Sequence, residues 1–198
     1  MQRRLAHLTL AALAMAIIPH AAYAHIGHGA AGSFAAGLAH PLSGLDHIAV
    51  MIAVGLWAAL KGGKALWVWP ATFVGVMLIG GALGMEHVPL PFVEPAILAS
   101  VVALGLLVAL AVELPVAVGA VIVGAFALFH GHAHGSEVVG NLAGIEYMAG
   151  FAAATAALHG LGIAAALALS GAGFRPLVRI AGAACVVLGG ALAMGFFA

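Results

Sequence analysis

Two clusters of histidine and carboxylate side chains offer chemistry in a chain that is 65% hydrophobic and only 6% charged. The first cluster, HPLSGLDH, runs from His40 to His47 at the start of a long apolar stretch. A charged aspartate at the centre of a membrane-spanning helix costs at least about 2.5 kcal/mol on the insertion scale. Ionisable groups kept inside a membrane mark ion or substrate pathways, so this segment is the leading functional site.

The spacing in this cluster predicts one helical face that carries His40, Gly44, His47 and Met51. On a straight helix the two imidazoles lie about 10.5 Å apart, too far to bind one ion. Either Pro41 distorts the start of the helix, or the two histidines bind an ion one after the other along a transport path. Asp46 points about 100° away from His47, so the two converge only where a cleft lies between them. The alternative is a hydrogen-bonded His–Asp pair that merely joins helices.

The second cluster, FHGHAHGSE, covers residues 129–137. If it is helical, His130, His134 and Glu137 share a face and can chelate an ion. If it is extended, His130, His132 and His134 align instead. Either geometry presents several ligand atoms, whereas the alternative is a flexible loop that binds metal only adventitiously.

Weaker metal-ligand candidates lie elsewhere in the chain. His25 and His28 stand at the expected mature amino terminus, where they could bind a metal ion. The alternative is that this end is disordered and binds nothing. In the fifth apolar segment Glu146 is the better pathway candidate, and the deeper His159 is equally well explained as a packing histidine. Imidazole and carboxylate ligands without thiolate suit borderline ions such as Ni²⁺, Co²⁺, Zn²⁺ and Cu²⁺. The single cysteine, Cys185, excludes a thiolate-rich site.

The composition predicts an all-α, polytopic membrane helix bundle. Residues 1–24 resemble a signal peptide, with Arg3 and Arg4, an apolar stretch and Ala22-Tyr23-Ala24 as the cleavage site; a retained first span is the alternative. Residues 25–198 then form a transport domain of six transmembrane helices. These spans are predicted at 34–60, 65–85, 95–113, 115–130, 141–169 and 177–197.

The basic residues predict how the chain is oriented. Lys61 and Lys64 follow the first span, and Arg175 and Arg179 follow the fifth, so both pairs lie on one side, the cytoplasm. Both termini are then periplasmic and the protein is placed in the bacterial inner membrane. Because the histidines lie towards the outer side, this arrangement favours uptake of metal over export.

Both clusters resemble the signatures of the HupE/UreJ family of nickel and cobalt permeases. The matching patterns are His40-Pro41-x-x-Gly44-x-Asp46-His47-x-x-x-Met51-x-x-Val54-Gly55 and Phe129-His130-Gly131-x-Ala133-His134-Gly135-x-Glu137. The resemblance covers essentially the whole chain and implies secondary uptake of Ni²⁺, or Co²⁺, for hydrogenase or urease maturation. It implies metal-pathway roles for His40, Asp46, His47, His130, His134 and Glu137.

On this interpretation the chain is not an enzyme and holds no permanent cofactor. Its partners are the metal ion and the lipid bilayer, no nucleic acid is expected, and the sequence leaves a homo-oligomer open. The sequence has no G-x-x-x-x-G-K-[ST] loop, so ATP hydrolysis by this chain is not expected. The rival functions are a membrane-bound metalloenzyme with histidine ligands, and an exporter of divalent metal.

We expect the mature protein to begin at His25, with both termini outside the cytoplasm. Amino-terminal sequencing tests the cleavage, and reporter fusions at Ala198 test the topology. A cytoplasmic reporter signal at Ala198 would refute this arrangement.

Overall fold

The computed structural model describes residues 33–196, and this part of the chain is helical, without a β-strand. The seven α-helices of the described range are α1 Phe34–Ala39, α2 Leu45–Lys61, α3 Ala65–Met85, α4 Val93–Ala109, α5 Val116–Gly135, α6 Leu142–Gly171 and α7 Arg175–Ala193. A short 3-10 turn, His40–Leu42, links α1 to α2. The all-α prediction is confirmed, whereas the predicted signal peptide, His25 and His28 lie outside the described residues.

Several of these helices are built to lie in a membrane. In the described range α3, α5, α6 and α7 are long and apolar enough to cross a bilayer, and α1 with α2 forms a fifth, bent candidate. The apolar α4 has 17 residues and falls short of a full crossing. The predicted second span, 65–85, coincides with α3. The fourth is longer than predicted, because α5 continues through the second histidine cluster to Gly135.

The first predicted span, 34–60, is not one continuous helix. Its two parts, Phe34–Leu42 and Leu45–Lys61, are bent by 84° relative to each other. The carbonyl oxygen of His40 accepts hydrogen bonds from the Ser43 amide (3.0 Å) and the Ser43 hydroxyl (2.6 Å), and Gly44 then takes an extended conformation. The shared helical face predicted for His40, His47 and Met51 is therefore wrong, since His40 lies before the break.

Glycines let α3 and α5 touch backbone to backbone. A side chain on Gly131 would collide with the carbonyl oxygen of Met77, and one on Gly135 with that of Gly81. The contacts advance together along both helices, so α3 and α5 run in the same direction. Small residues spaced by four are the usual means of such close packing in membranes. This contact fixes the rotation of α5 and hence the directions of its histidines.

A second set of glycines holds the broken first segment against α6. Gly37 of α1 abuts the Tyr147 backbone, and Gly55 of α2 abuts the backbone at His159 and Gly162. The long helix α6 thus contacts the chain on both sides of the break. The contact with α1 lies in the amino-terminal half of α6, and the contact at Gly55 of α2 lies in its carboxyl-terminal half.

Aromatic packing fills the bundle at the other end of α2. The Trp57 and Trp69 rings lie 4.1 Å apart between centroids, and both residues are fully buried. Their indole N–H groups donate to the carbonyl oxygens of Val112 (2.9 Å) and Val116 (2.8 Å). The polar residues of the bundle interior therefore lie towards the end where α1 and α2 meet.

Candidate metal site

Three metal-binding side chains from distant parts of the sequence meet beside the break. Potential ligand atoms of His40, His134 and Glu137 all lie within 4.8 Å of one another. Glu137 is 3.7 Å from His40 Nε2 and 3.5 Å from His134 Nδ1. Two ligands on one ion are at most about 4 Å apart, because metal–nitrogen and metal–oxygen bonds are about 2.0–2.2 Å long. Side-chain movements of about 1 Å would therefore place these three groups on a single ion.

His47 extends the group from the first turn of α2. Its Nε2 lies 2.5 Å from Nε2 of His134. Its Nδ1 lies 2.8 Å from Asp46 Oδ1, and because a carboxylate can only accept, the Nδ1 proton is donated to Asp46. The neutral ring then turns the lone pair of Nε2 towards His134. In the tautomer of His134 that carries its proton on Nε2, this N–H donates to the lone pair of His47.

Asp46 therefore orients His47 in this structure. Its Oδ1 also accepts the backbone N–H of His47 at 2.9 Å. A carboxylate that holds the second nitrogen of a ligating imidazole fixes the tautomer and makes the ring a better ligand. The side chains of Asp46 and His47 converge because Gly44 leaves room beside the pair. This is the cleft that their convergence requires.

His130 lies one helical turn before His134 on α5 and is fully buried. Its ring centroid is 5.3 Å from that of His47 in an edge-on arrangement. Its Nε2 lies 3.0 Å from the hydroxyl oxygen of Ser100 on α4. The four histidines and two carboxylates assigned from the two sequence clusters are thus brought into one continuous region.

The site is reached from the Glu137 side. A cavity of about 160 Å³ is lined by Ala36, His40, Glu137, Val138 and Tyr147. The side chains of Glu137 and His40 are 51% and 34% exposed, whereas that of His134 is 4% exposed. Phe151 covers His134 with a ring centroid distance of 4.6 Å. The candidate ligands therefore run from exposed side chains at Glu137 and His40 to a buried one at His134.

Glu137 follows α5 in the turn before α6, outside the spanning helices. Burial raises the pKa of this carboxyl, but His134 and His40 beside it more than offset that effect and lower the pKa below its usual value. Glu137 is therefore an anion at neutral pH, ready to attract a cation at the mouth of the cavity.

The weaker candidates lie elsewhere. Met51 is fully buried in the core, and Glu146 is exposed. His132 turns away from the cluster and donates Nε2–H to the Val88 carbonyl oxygen at 2.7 Å, beside a separate cavity of about 440 Å³ that His87 also lines. His25 and His28 lie beyond the described range.

Two contacts of the site were missed from the sequence. The Tyr147 ring lies 5.8 Å from that of His40, and Ser100 contacts His130. A lone hydroxyl within the apolar run of α4 was the available signal for Ser100. The sequence signal for Tyr147 was only that it follows Glu146, and the side chain of Glu146 points outward.

Comparison with known proteins agrees with the two motifs. A family model described as HupE / UreJ protein matches residues 13–192. The chain belongs to the HupE/UreJ family. A curated family relative, Protein HupE of Rhizobium leguminosarum bv. viciae, is 51% identical over 187 residues, which is 94% of this chain and 96% of the relative. No solved structure matches the chain.

Replacing Gly44 by alanine should weaken metal binding without unfolding the helix. Gly44 has φ −106° and ψ 126°, which alanine can adopt, but its Cβ would lie 2.6 Å from Asp46 Oδ1 and 2.8 Å from His47 Nδ1. The Asp46–His47 pair must then separate. Loss of such an orienting contact typically lowers metal affinity about 10–100-fold.

Calorimetric titration of the detergent-solubilised full chain with Ni²⁺ measures this effect. Gly160→Ala is the matched control, because nothing lies within 4 Å of a Cβ added there. Equal affinities of Gly44→Ala and Gly160→Ala would contradict an orienting role for Asp46.

Proposed function

We propose that this protein is a secondary permease that carries divalent transition-metal ions inward from the periplasm, nickel foremost and cobalt second. In this proposal six helices cross the inner membrane after removal of residues 1–24, and both termini are periplasmic. The bent α1–α2 pair supplies the first crossing and α4, with its flanking residues, the third.

The observation that carries the proposal is the convergence of His40, His47, His134 and Glu137 at the break. The ligand atoms are imidazole nitrogens and a carboxylate oxygen, which suit borderline divalent ions. His47 lies on α2 and His134 on α5, and His40 and Glu137 lie in the turns next to these helices, which are otherwise apolar. A group of this kind within an apolar bundle marks an ion pathway.

The order of the ligands suits transit better than storage. Exposure falls from Glu137 through His40 to His134, so the entering ion exchanges water for protein ligands in steps. His134 faces Glu137 with Nδ1 and His47 with Nε2. An ion held at the outer nitrogen can therefore be handed to ligands on the other side of the same ring.

Charge balance supports the same function. A divalent cation in an apolar bundle needs compensating charge, because desolvation of an unpaired ion costs several kcal/mol or more. Asp46 and Glu137 supply two carboxylates to the cluster, one beside His47 and one beside His134. Their combined charge can match that of one divalent ion.

The choice of nickel rests on membership of the HupE/UreJ family and on its resemblance to nickel and cobalt permeases. The ligand set alone does not separate Ni²⁺ from Co²⁺, Zn²⁺ or Cu²⁺. In the cell the imported ion would serve maturation of a hydrogenase or a urease. With no nucleotide-binding loop in the sequence, import would follow the metal gradient or a coupled ion gradient.

Asp46→Asn should reduce nickel uptake about tenfold or more, at an unchanged protein level in the membrane. The substitution keeps the size of the side chain but removes the charge that orients His47 and offsets the ion. Initial ⁶³Ni²⁺ uptake by cells that express each variant, normalised to membrane protein, measures the effect.

Glu113→Gln is the matched control, since this carboxylate is 74% exposed and pairs with Lys61 away from the cluster. We expect it to transport like the wild type. Wild-type uptake by Asp46→Asn would mean that the Asp46 charge is structural only, and no uptake by the wild type would refute the proposed function.

A further inference from the structure

His159 is a buried histidine that the site described above does not use. It lies on α6, deeper in the bundle than the cluster, and is 1% exposed. Its Nδ1 is 2.8 Å from the backbone carbonyl oxygen of Met51 on α2. A carbonyl oxygen can only accept, so Nδ1 carries the proton and donates it. In the neutral ring the lone pair is then on Nε2, which has no hydrogen-bond partner in the described part of the chain.

His130 shows the same arrangement with its two nitrogens exchanged. The Ser100 hydroxyl donates its one proton to the Ile97 carbonyl oxygen at 2.6 Å, so its oxygen accepts from His130 Nε2–H at 3.0 Å. The lone pair of His130 is then on Nδ1, which also lacks a hydrogen-bond partner among residues 33–196. Both rings are held by one N–H and offer the other nitrogen.

Phe73 of α3 connects the two rings. Its ring centroid lies 5.8 Å from that of His130 and 5.1 Å from that of His159. Because His130 also contacts His47, a series of ring contacts runs from the cluster at the break to His159. His159 therefore follows His130 towards the bundle interior, with the Phe73 ring in contact with both imidazoles.

A packing role explains only half of this geometry. The bond from Nδ1 to Met51 ties α6 to α2, but it leaves a lone pair buried without a donor. Buried acceptors without partners are rare in proteins because they lose their hydrogen bonds to water, and each specific case calls for an explanation. Fixing one imidazole nitrogen by a hydrogen bond to a carbonyl is the usual way of presenting the other nitrogen to a metal.

We propose that Nε2 of His159 is an inner metal station, which receives the divalent ion after His130 and before release to the other side. This inference rests on the proposed function and extends it to a residue outside both sequence clusters. At this position His159 supplies one ligand, which lowers the free-energy cost of moving the ion through the apolar part of the bundle. The Met51 carbonyl acts as a positioning group.

His159→Asn separates the two roles of the side chain. The asparagine amide can donate to Met51 from about the position of Nδ1, but it offers no nitrogen lone pair at the position of Nε2. We expect normal insertion, a half-saturating Ni²⁺ concentration within about twofold of wild type, and a maximal uptake rate reduced about tenfold or more. Capture at the outer cluster is retained, whereas passage is slowed.

Thr155→Val is the matched control on the same helix. Thr155 is fully buried, and within residues 33–196 its hydroxyl donates to the sulfur of Met77 at 3.7 Å and to no other acceptor, so valine keeps its shape. We expect wild-type kinetics. If His159→Asn transports at the wild-type maximal rate while the wild type is active, the inner station is refuted and the permease proposal stands; an inactive wild type refutes the permease itself.

A second measurement uses the unmodified chain and does not depend on the folding of a variant. Cu²⁺ with ascorbate and dissolved dioxygen oxidises histidines that contact the bound metal, because the reduced copper converts dioxygen to reactive species at the site. Mass spectrometry identifies the oxidised histidines in the solubilised protein. We expect oxidation at His159 that excess Ni²⁺ suppresses. Oxidation that spares His159, whatever its extent at His134, would overturn the assignment.

Discussion

The site depends on the break between α1 and α2. A continuous helix would hold His40 and His47 about 10.5 Å apart. The 84° bend instead brings their ring centroids to 6.4 Å and turns both towards His134 of α5. Each residue of the break contributes locally, since Ser43 closes the turn on the His40 carbonyl and Gly44 leaves space for the Asp46–His47 pair.

A second constraint comes from the apolar surroundings. Where water is scarce, polar groups must find partners within the protein. His47, His130 and His159 each donate one N–H to a fixed acceptor, namely Asp46, the Ser100 hydroxyl and the Met51 carbonyl. The lone pair of each ring is therefore on the other nitrogen, and the hydrogen bond fixes its direction. The packed rings of Trp57 and Trp69 fill the bundle interior beyond these histidines.

Much of this arrangement could be predicted from the sequence, because helix periodicity and apolar runs are local properties. The second predicted span has the bounds of α3, and the helical alternative for the second cluster holds for His130 and His134, whereas Glu137 follows in the turn after α5. The ligand types are also local information. The motif residues led to the HupE/UreJ family, which the family model confirms.

The remaining features are set by contacts between distant segments. The break at Gly44 separates His40 from the predicted face of the first span, and no periodicity shows where a helix bends. The sequence distinguishes Glu146 from His159 only by position along the span, but α6 turns Glu146 outward and His159 inward. Only the rotation of α6 against α2, fixed by Gly55 and Gly162, decides between them.

The central claim is that the imidazoles gathered at the break bind one metal ion. X-ray absorption spectroscopy of the nickel-loaded, solubilised full chain tests it directly, through the multiple scattering that imidazole rings produce. We expect the nickel ion to have a shell of nitrogen and oxygen ligands that includes two or three imidazoles. We expect His134→Ala to lose imidazole scattering. A shell of water and carboxylate oxygens alone, or a spectrum that His134→Ala leaves unchanged, would contradict it.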